Sequence, residues 1–275
     1  MKKMKYNNFL YLKSKRVNYT PDEVIDSSHV LLKGLYELQY IGYPEHSVVV
    51  KKIEIRNKPN INHSCSDYIY NVVNKFKDDV TCKHIKSLNM DNRFGILLYG
   101  DAGTGKSSII NNIISDDRLI SFIIASKDPD ELKLCWDFIM NVREGQDDRF
   151  VIVFDEFDEF NKCEALLKQI MDGQYSIDNC LFLMSTNYID SVPDTIKNRP
   201  SRCKYVIKVE GIYDINTIKD IIKNAYSESE IDSKAKSMIG KTLDEIKNQA
   251  IDDVLKIEKY ATNSNKIGFK KSTQI

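Results

Sequence analysis

The sequence predicts an α/β fold: a parallel sheet of five strands with helices on both faces, followed by a small α-helical lid. Three observations carry this prediction. From residue 94 onward, apolar segments of strand length alternate with segments of helical periodicity. The octapeptide Gly100-Asp101-Ala102-Gly103-Thr104-Gly105-Lys106-Ser107 joins the first such strand to the first such helix. After Gly211 the strand signal stops and only helical periodicity continues.

The elements follow in order. Residues 94–99 form an apolar strand, and residues 108–114 carry isoleucines at helical spacing. Residues 119–126 are β-branched and aromatic, which suits a buried strand. Asp128 then caps a helix with Pro129 at its first position, and Leu132, Cys135, Trp136, Ile139 and Val142 recur along one face. Residues 150–154 are a third strand. Residues 164–171 are a helix, apolar at Leu166, Leu167, Ile170 and Met171 and closed by Gly173. Residues 180–184 and 203–207 supply the fourth and fifth strands. Strands separated by helices pair in parallel, because a parallel pair needs a long crossover.

In the lid, residues 214–226 place Ile215, Ile218, Ile222 and Ala225 on one face. Thr242-Leu243-Asp244-Glu245 reads as a capping box that opens a helix to about Tyr260. The N-terminal region is α+β: residues 48–56 alternate as a strand, Pro59 with Asn57 and Asn60 marks a loop, and residues 68–76 form a helix. The expected division is residues 1–75 as an N-terminal region, 76–211 as the core, 212–262 as the lid and 263–275 as a basic tail with Lys266, Lys270 and Lys271.

Composition narrows the function. The chain has 275 residues, 42% hydrophobic and 29% charged, with a formal net charge of zero. That leaves no global field to attract nucleic acid or a membrane. Its longest apolar runs are about seven residues, whereas a membrane span needs ~20. Lys2, Lys3, Lys5, Lys13, Lys15 and Arg16 make a basic N-terminus without the apolar stretch of a secretory signal, so a solvated arm is expected. The six cysteines have no C-x-x-C spacing and are expected as buried thiols in a reducing, cytoplasmic compartment. His63, Cys65, Cys82 and His84 could offer a zinc set, but their spacing fits no standard finger. Buried thiols with surface histidines are the plainer expectation.

The octapeptide fits G-x-x-x-x-G-K-[ST], and its strand and helix flanks supply the context that this pattern needs. Glycines at 100, 103 and 105 let consecutive N–H groups point at an anion, and the helix that opens after Ser107 and Ser108 adds its positive dipole end. Lys106 would reach the β- and γ-phosphates, while the Ser107 hydroxyl would face magnesium. The third strand ends in Asp155-Glu156: the first suits the magnesium shell and the second can polarise an attacking water. Taken alone, such an acidic run, which continues with Asp158 and Glu159, is a solvated turn. The fourth strand runs into Ser185-Thr186-Asn187, whose amide would lie between the two motifs; a strand-ending turn is the alternative. Arg199 and Arg202 precede the fifth strand and could stabilise charge on a transferring phosphoryl group, or serve as surface ion-pair formers.

With these motifs in this order, residues 90–260 resemble the AAA+ ATPases, particularly the AAA-type branch, within the P-loop NTPase superfamily. The octapeptide matches Walker A, and Phe-Val-Ile-Val-Phe-Asp-Glu matches Walker B. Ser-Thr-Asn resembles sensor 1, and Arg-Pro-Ser-Arg resembles the arginine-finger segment. The resemblance implies ATP bound through residues 100–108 (Gly100, Asp101, Ala102, Gly103, Thr104, Gly105, Lys106, Ser107 and Ser108), with Mg2+ on Ser107 and Asp155. It makes Glu156 the activator of water and Asn187 the γ-phosphate sensor, with Arg199 and Arg202 acting in trans within a homo-oligomeric ring, usually of six. It further implies remodelling of a macromolecular client, first of all a protein. The alternative is a nucleic-acid-associated loader or replication helper. A small-molecule phosphotransferase and a nucleotide-gated switch are more distant rivals. Two family features are missing: residues 126–131 hold no aromatic–apolar–glycine pore loop, and the lid offers Lys241 and Lys247 where a sensor 2 arginine is usual.

Overall fold

The computed structural model describes residues 17–19, 31–41, 47–55 and 63–255. The expected basic arm at residues 2–16, the loop around Pro59 and the tail from residue 263 lie outside them. In chain order the elements begin with β1 (Val17–Tyr19), β2 (Gly34–Ile41), β3 (Ser47–Ile53), α1 (Ser66–Lys77), α2 (Asp79–Ser87), β4 (Arg93–Tyr99) and α3 (Lys106–Ile114). They continue with β5 (Ile120–Ile124), α4 (Pro129–Gly145), β6 (Phe150–Phe154), α5 (Glu164–Asp172), β7 (Cys180–Thr186), α6 (Asp194–Lys197) and β8 (Tyr205–Lys208). The lid comprises α7 (Ile215–Ile222), α8 (Glu228–Ser237) and α9 (Leu243–Leu255).

All five expected strands are present and mutually parallel, in the order β5-β6-β7-β4-β8. The sheet is nevertheless wider than five strands. β2 pairs in parallel with β5, β3 pairs antiparallel with β2, and the short β1 adds to β3, giving eight strands. The physical reason lies in β2: Leu35, Tyr36 and Leu38 are buried while Gln39 is exposed, a weaker pattern than the continuous apolar runs of the central strands. The N-terminal residues therefore extend the same sheet. The boundary expected after residue 75 falls inside α1, whose Ile69, Val72, Val73 and Phe76 pack with Ile109, Ile110 and Ile113 of α3.

Strand alternation builds the two faces. Leu97, Ile152, Phe154, Phe182 and Met184 point toward α4 and α5, in a core that also holds Trp136, Phe138 and Ile170. Ile96, Leu98, Val151, Val153, Leu181 and Leu183 point the other way, toward α1 and α3. Trp136 is fully buried, and its indole N–H donates to the Tyr175 carbonyl at 2.9 Å, so the largest side chain of the core leaves no unpaired donor.

Helix starts follow the sequence closely. The Asp128 carboxylate accepts from the N–H groups of Asp130 and Glu131, with Pro129 at the first turn of α4. At α9, the Thr242 N–H donates to Glu245 Oε2 at 2.7 Å and the Glu245 N–H donates to Thr242 Oγ1 at 3.3 Å, which is the expected capping box. The α8 helix was not read from the sequence: its polar run Glu-Ser-Glu-Ile-Asp-Ser-Lys offers little apolar periodicity, although Ser227 and Glu230 cap it reciprocally. The lid has its own core of Ile212, Ile218, Ile222, Ala235, Met238, Leu243 and Ile246.

Gly95 in β4 is a close-approach position. A Cβ there would lie 2.2 Å from the Arg202 carbonyl oxygen and 2.9 Å from Met184 Cε. Gly95→Ala is therefore expected to cost about 1–3 kcal/mol by overpacking and to lower Tm by several degrees. Gly145→Ala, where a Cβ meets nothing within 4 Å, should leave Tm unchanged or slightly raised. Calorimetric scans of both variants check this pair.

Candidate functional site

The strand order decides which chain segments meet. β7 lies between β6 and β4, and all three run parallel. Their C-terminal ends therefore deliver the glycine loop, Asp155-Glu156 and Asn187 to one edge of the sheet. Ala102, Gly103, Gly105, Lys106, Ser107, Ser108, Asp155, Glu156, Ser185, Thr186 and Asn187 line a single cavity of about 270 Å³ there, with Leu243, Asp244 and Lys247 of the lid on its other side.

The loop is held in shape by backbone that favours glycine. Gly103 has φ +76° and Gly105 φ +98°, both in the left-handed region. Gly105 immediately precedes α3, so the loop opens onto the helix N-terminus. Lys106 is buried and curls back over its own loop: Nζ donates to the carbonyl oxygens of Gly100 at 2.7 Å and Asp101 at 2.8 Å. Burial pushes its pKa down, against the nearby charges of Asp101 and Asp155. Thr104 closes the turn by donating its hydroxyl to the Asp101 carbonyl at 2.9 Å.

Across the cavity, Asp155 Oδ1 accepts a short hydrogen bond from the Ser185 hydroxyl, and Asp158 accepts one from Thr186. The sensor strand and the acidic turn are thus tied side chain to side chain. Glu156 has a left-handed backbone, with φ 52° and ψ 53°, a conformation that costs a residue other than glycine about 1–3 kcal/mol. Its carboxylate accepts from Lys127 Nζ at 2.9 Å, and Lys127 also bonds Glu159. Burial opposes the Lys127 charge, but the two carboxylates outweigh it and raise the lysine's pKa.

Arg199 and Arg202 are not among the residues that line the cavity. Both are gathered by Asp172 at the end of α5. The Arg202 Nε donates to Asp172 Oδ1 at 2.9 Å and its Nη1 to the Thr195 carbonyl at 2.6 Å, with both partners of the ion pair almost fully buried. Arg199 shares the other carboxylate oxygen at 2.9 Å, yet its side chain is 57% exposed. Burial works against the Asp172 charge, but hydrogen bonds from Ser201 and Arg202 and the charges of both arginines bring its pKa below the usual carboxylate value. The two arginines thus differ in kind, one locked and one presented at the surface.

Residues 96–210 match the family model described as ATPase family associated with various cellular activities (AAA). The match supports an AAA+ ATPase of the P-loop NTPase superfamily. The matched AAA+ segment runs from β4 to just beyond β8, so it contains the loop, both ends of the acidic strand, the sensor strand and the arginine pair. No curated protein matches the chain.

Lys127 and Asp244, which belong to none of the nucleotide motifs, also lie at the site. Lys127 lies three residues past the end of β5, the strand that neighbours β6, so sheet order, once known, brings it beside Glu156. Lys247 does line the cavity, whereas Lys241 bonds Gln249 instead. Asp244 carries its N–H to the Gly103 carbonyl at 3.2 Å and so joins lid to loop. The hard oxygen donors Ser107 and Asp155 face one cavity, and few protein oxygens with room for phosphate and water are what magnesium accepts. His63, Cys65, Cys82 and His84 are not brought together as a metal set: no group of three or more metal-binding side chains occurs among the described residues. Cys82 donates to Asn179 Oδ1, and His63 is buried against the loop instead of lying at the surface.

Removing one partner of a buried ion pair strands the other charge. Arg202→Ala is expected to destabilise the AAA+ core by about 3–5 kcal/mol, whereas Arg199→Ala should stay within about 0.5 kcal/mol of wild type. Urea unfolding followed by circular dichroism separates the two. Equal loss of stability in both variants would contradict the distinction between a locked and a presented arginine.

Proposed function

We propose that the chain binds ATP with magnesium and hydrolyses it, as one subunit of a homo-oligomeric ring that remodels a macromolecular client, foremost a protein. The observation that supports this most is the convergence of Lys106, Ser107, Asp155, Glu156 and Asn187 on one cavity closed by lid residues.

In this reading, the loop N–H groups and the α3 N-terminus cradle the phosphates, and Lys106 Nζ exchanges the Gly100 and Asp101 carbonyls for β- and γ-phosphate oxygens. Ser107 and Asp155 would hold magnesium, which when bound neutralises charge on the phosphate oxygens. Glu156, released from Lys127, takes a proton from the attacking water while the water oxygen bonds to the γ-phosphorus and the β–γ bridge breaks. Asn187 orients that water. Arg199, presented at the surface, reaches the γ-phosphate of a neighbouring subunit, and Arg202 fixes the segment that carries it. The same ring arrangement makes hydrolysis in one subunit depend on the next.

The nucleic-acid alternative was suggested by the basic ends of the chain, which lie outside the described residues. The six cysteines are free thiols, in keeping with the reducing, cytoplasmic setting proposed for the chain. No helix among the described residues is long and apolar enough to cross a membrane.

Two outcomes are expected. Glu156→Gln should retain ATP at wild-type affinity while phosphate release falls by about 10²–10⁴-fold, the usual range for a lost general base, and Lys106→Ala should lose ATP itself. Equilibrium dialysis with a phosphate-release assay distinguishes the two; turnover by Glu156→Gln at the wild-type rate would remove the glutamate from the base role. Arg199→Ala should bind ATP and turn over poorly, and mixing with Lys106→Ala subunits should restore part of the activity, since each supplies what the other lacks. A mixing titration with no point above the sum of the parts would exclude delivery in trans.

A further inference from the structure

We infer that Ser185 is a positioning residue for the metal: its hydroxyl turns the Asp155 carboxylate so that Oδ2 is the oxygen offered to magnesium. This rests on the nucleotide and magnesium reading above, in which Ser185 has no part. Strand alternation sets up the pair. Met184 and Phe154 are register partners and point into the same core. The residues that follow them, Ser185 and Asp155, therefore turn to the opposite face. That face carries α3, the helix opened by Lys106 and Ser107.

Ser185 is almost fully buried, and its hydroxyl bonds Asp155 Oδ1. A carboxylate only accepts, so the serine proton points at the aspartate. The Glu156 N–H donates to the same oxygen at 3.2 Å. Oδ1 thus holds two donors, whereas among the described residues none donates to Oδ2. The aspartate is exposed at the cavity wall, and Oδ2 is the oxygen it has left for a cation. One strand position on, the buried Thr186 hydroxyl bonds Asp158. Two consecutive hydroxyls of β7 therefore clasp the two ends of the turn 155–158. Rotation of Asp155 about its Cβ–Cγ bond breaks both bonds to Oδ1.

Orientation matters because magnesium tolerates little angular error. It demands near-ideal octahedral geometry at about 2.0–2.1 Å, whereas calcium takes six to eight oxygens in a flexible shell. An aspartate free to swing therefore loses magnesium more than calcium. A hydrogen bond behind a metal-binding group is typically worth about 10–100-fold in metal affinity. A hydroxyl that merely completed the end of β7 would add stability and leave the choice of cation alone.

The test reads metal-linked binding without turnover. The affinity for a non-hydrolysable ATP analogue, adenylyl imidodiphosphate, is measured by calorimetry in EDTA, in Mg2+ and in Ca2+ for wild type, Ser185→Ala and Ser185→Thr. The readout is the gain in affinity that each cation gives over EDTA, so a general loss of binding cancels. In Ser185→Ala the Mg2+ gain should shrink by about tenfold or more, and the Ca2+ gain by much less. Ser185→Thr, which keeps the hydroxyl on a residue suited to a strand, should recover most of the Mg2+ gain. An undiminished Mg2+ gain in Ser185→Ala, or equal losses for the two cations, overturns the positioning role and leaves the nucleotide reading standing. Wild type that binds the analogue no better in Mg2+ than in EDTA overturns the magnesium reading as well. Wild type that does not bind the analogue at all overturns the nucleotide reading itself.

Discussion

The register between three parallel strands is the constraint on which the site depends. Tyr99 of β4 pairs with Thr186 of β7, and Phe154 of β6 pairs with Met184 of β7. Gly100 and Asn187 therefore leave the sheet at the same height, and Asp155 leaves it two residues lower, level with Ser185. A shift of one residue in either pairing would turn the alternation over and send apolar side chains to the wrong face. The two opposed cores hold the register: Leu97 and Ile152 fill one side, Ile96 and Val151 the other. The hydrogen bond from Ser185 to Asp155 is a local result of that alignment, since Ser185 follows Met184 as Asp155 follows Phe154.

Charge is arranged around this edge so that each ionic group is held by a different kind of partner. Lys106 rests on neutral carbonyl dipoles, which leave its charge available to an anion. Glu156 rests on a full counter-charge from Lys127, so its carboxylate is occupied by an ion pair. Arg202 is committed to a buried carboxylate, and Arg199 is only leaned against it. Exposed ion pairs contribute little stability, typically below about 1 kcal/mol, and that weakness lets Glu156 and Arg199 change partners at small cost. The buried pair cannot do so, which sets Arg202 apart from the exposed Arg199 three residues earlier.

The five parallel strands from β4 onward and the helix caps were legible because their signals are local. Continuous apolar runs mark β4, β5, β6 and β7, and Asp128, Thr242 and Glu245 cap as their sequence suggests. The glycine loop and the acidic pair were legible because spacing alone carries them. What escaped the sequence reading depends on long-range pairing. Strand β2 shows only partial alternation and becomes a strand through its neighbours β3 and β5. Helix α8 is polar and buries only Ala235. Lys127 carries no motif, and His63 stood out only within a candidate zinc set: each gains its place from a partner 29 or more residues away, Glu156 in one case and Gly105 in the other. The difference between Arg199 and Arg202 lies in Asp172, which the sequence shows only as the end of a helix.

The glycine loop is also where the outlying parts of the chain meet the core. Gly103 needs its left-handed backbone, and a Cβ there would lie 2.8 Å from Asp244 Oδ2 in the lid; Gly105 has the same need and faces His63. Each of these glycines therefore answers two demands at once, one from its own turn and one from a neighbour that packs where a side chain would be. The Asp244 N–H holds the Gly103 carbonyl and so ties α9 to the loop backbone, and the His63 ring packs beside Gly105. Since Gly103 and Gly105 flank Thr104 within one tight turn, the lid and the N-terminal segment pack against the loop from two sides, through contacts made by two glycines, one aspartate and one histidine.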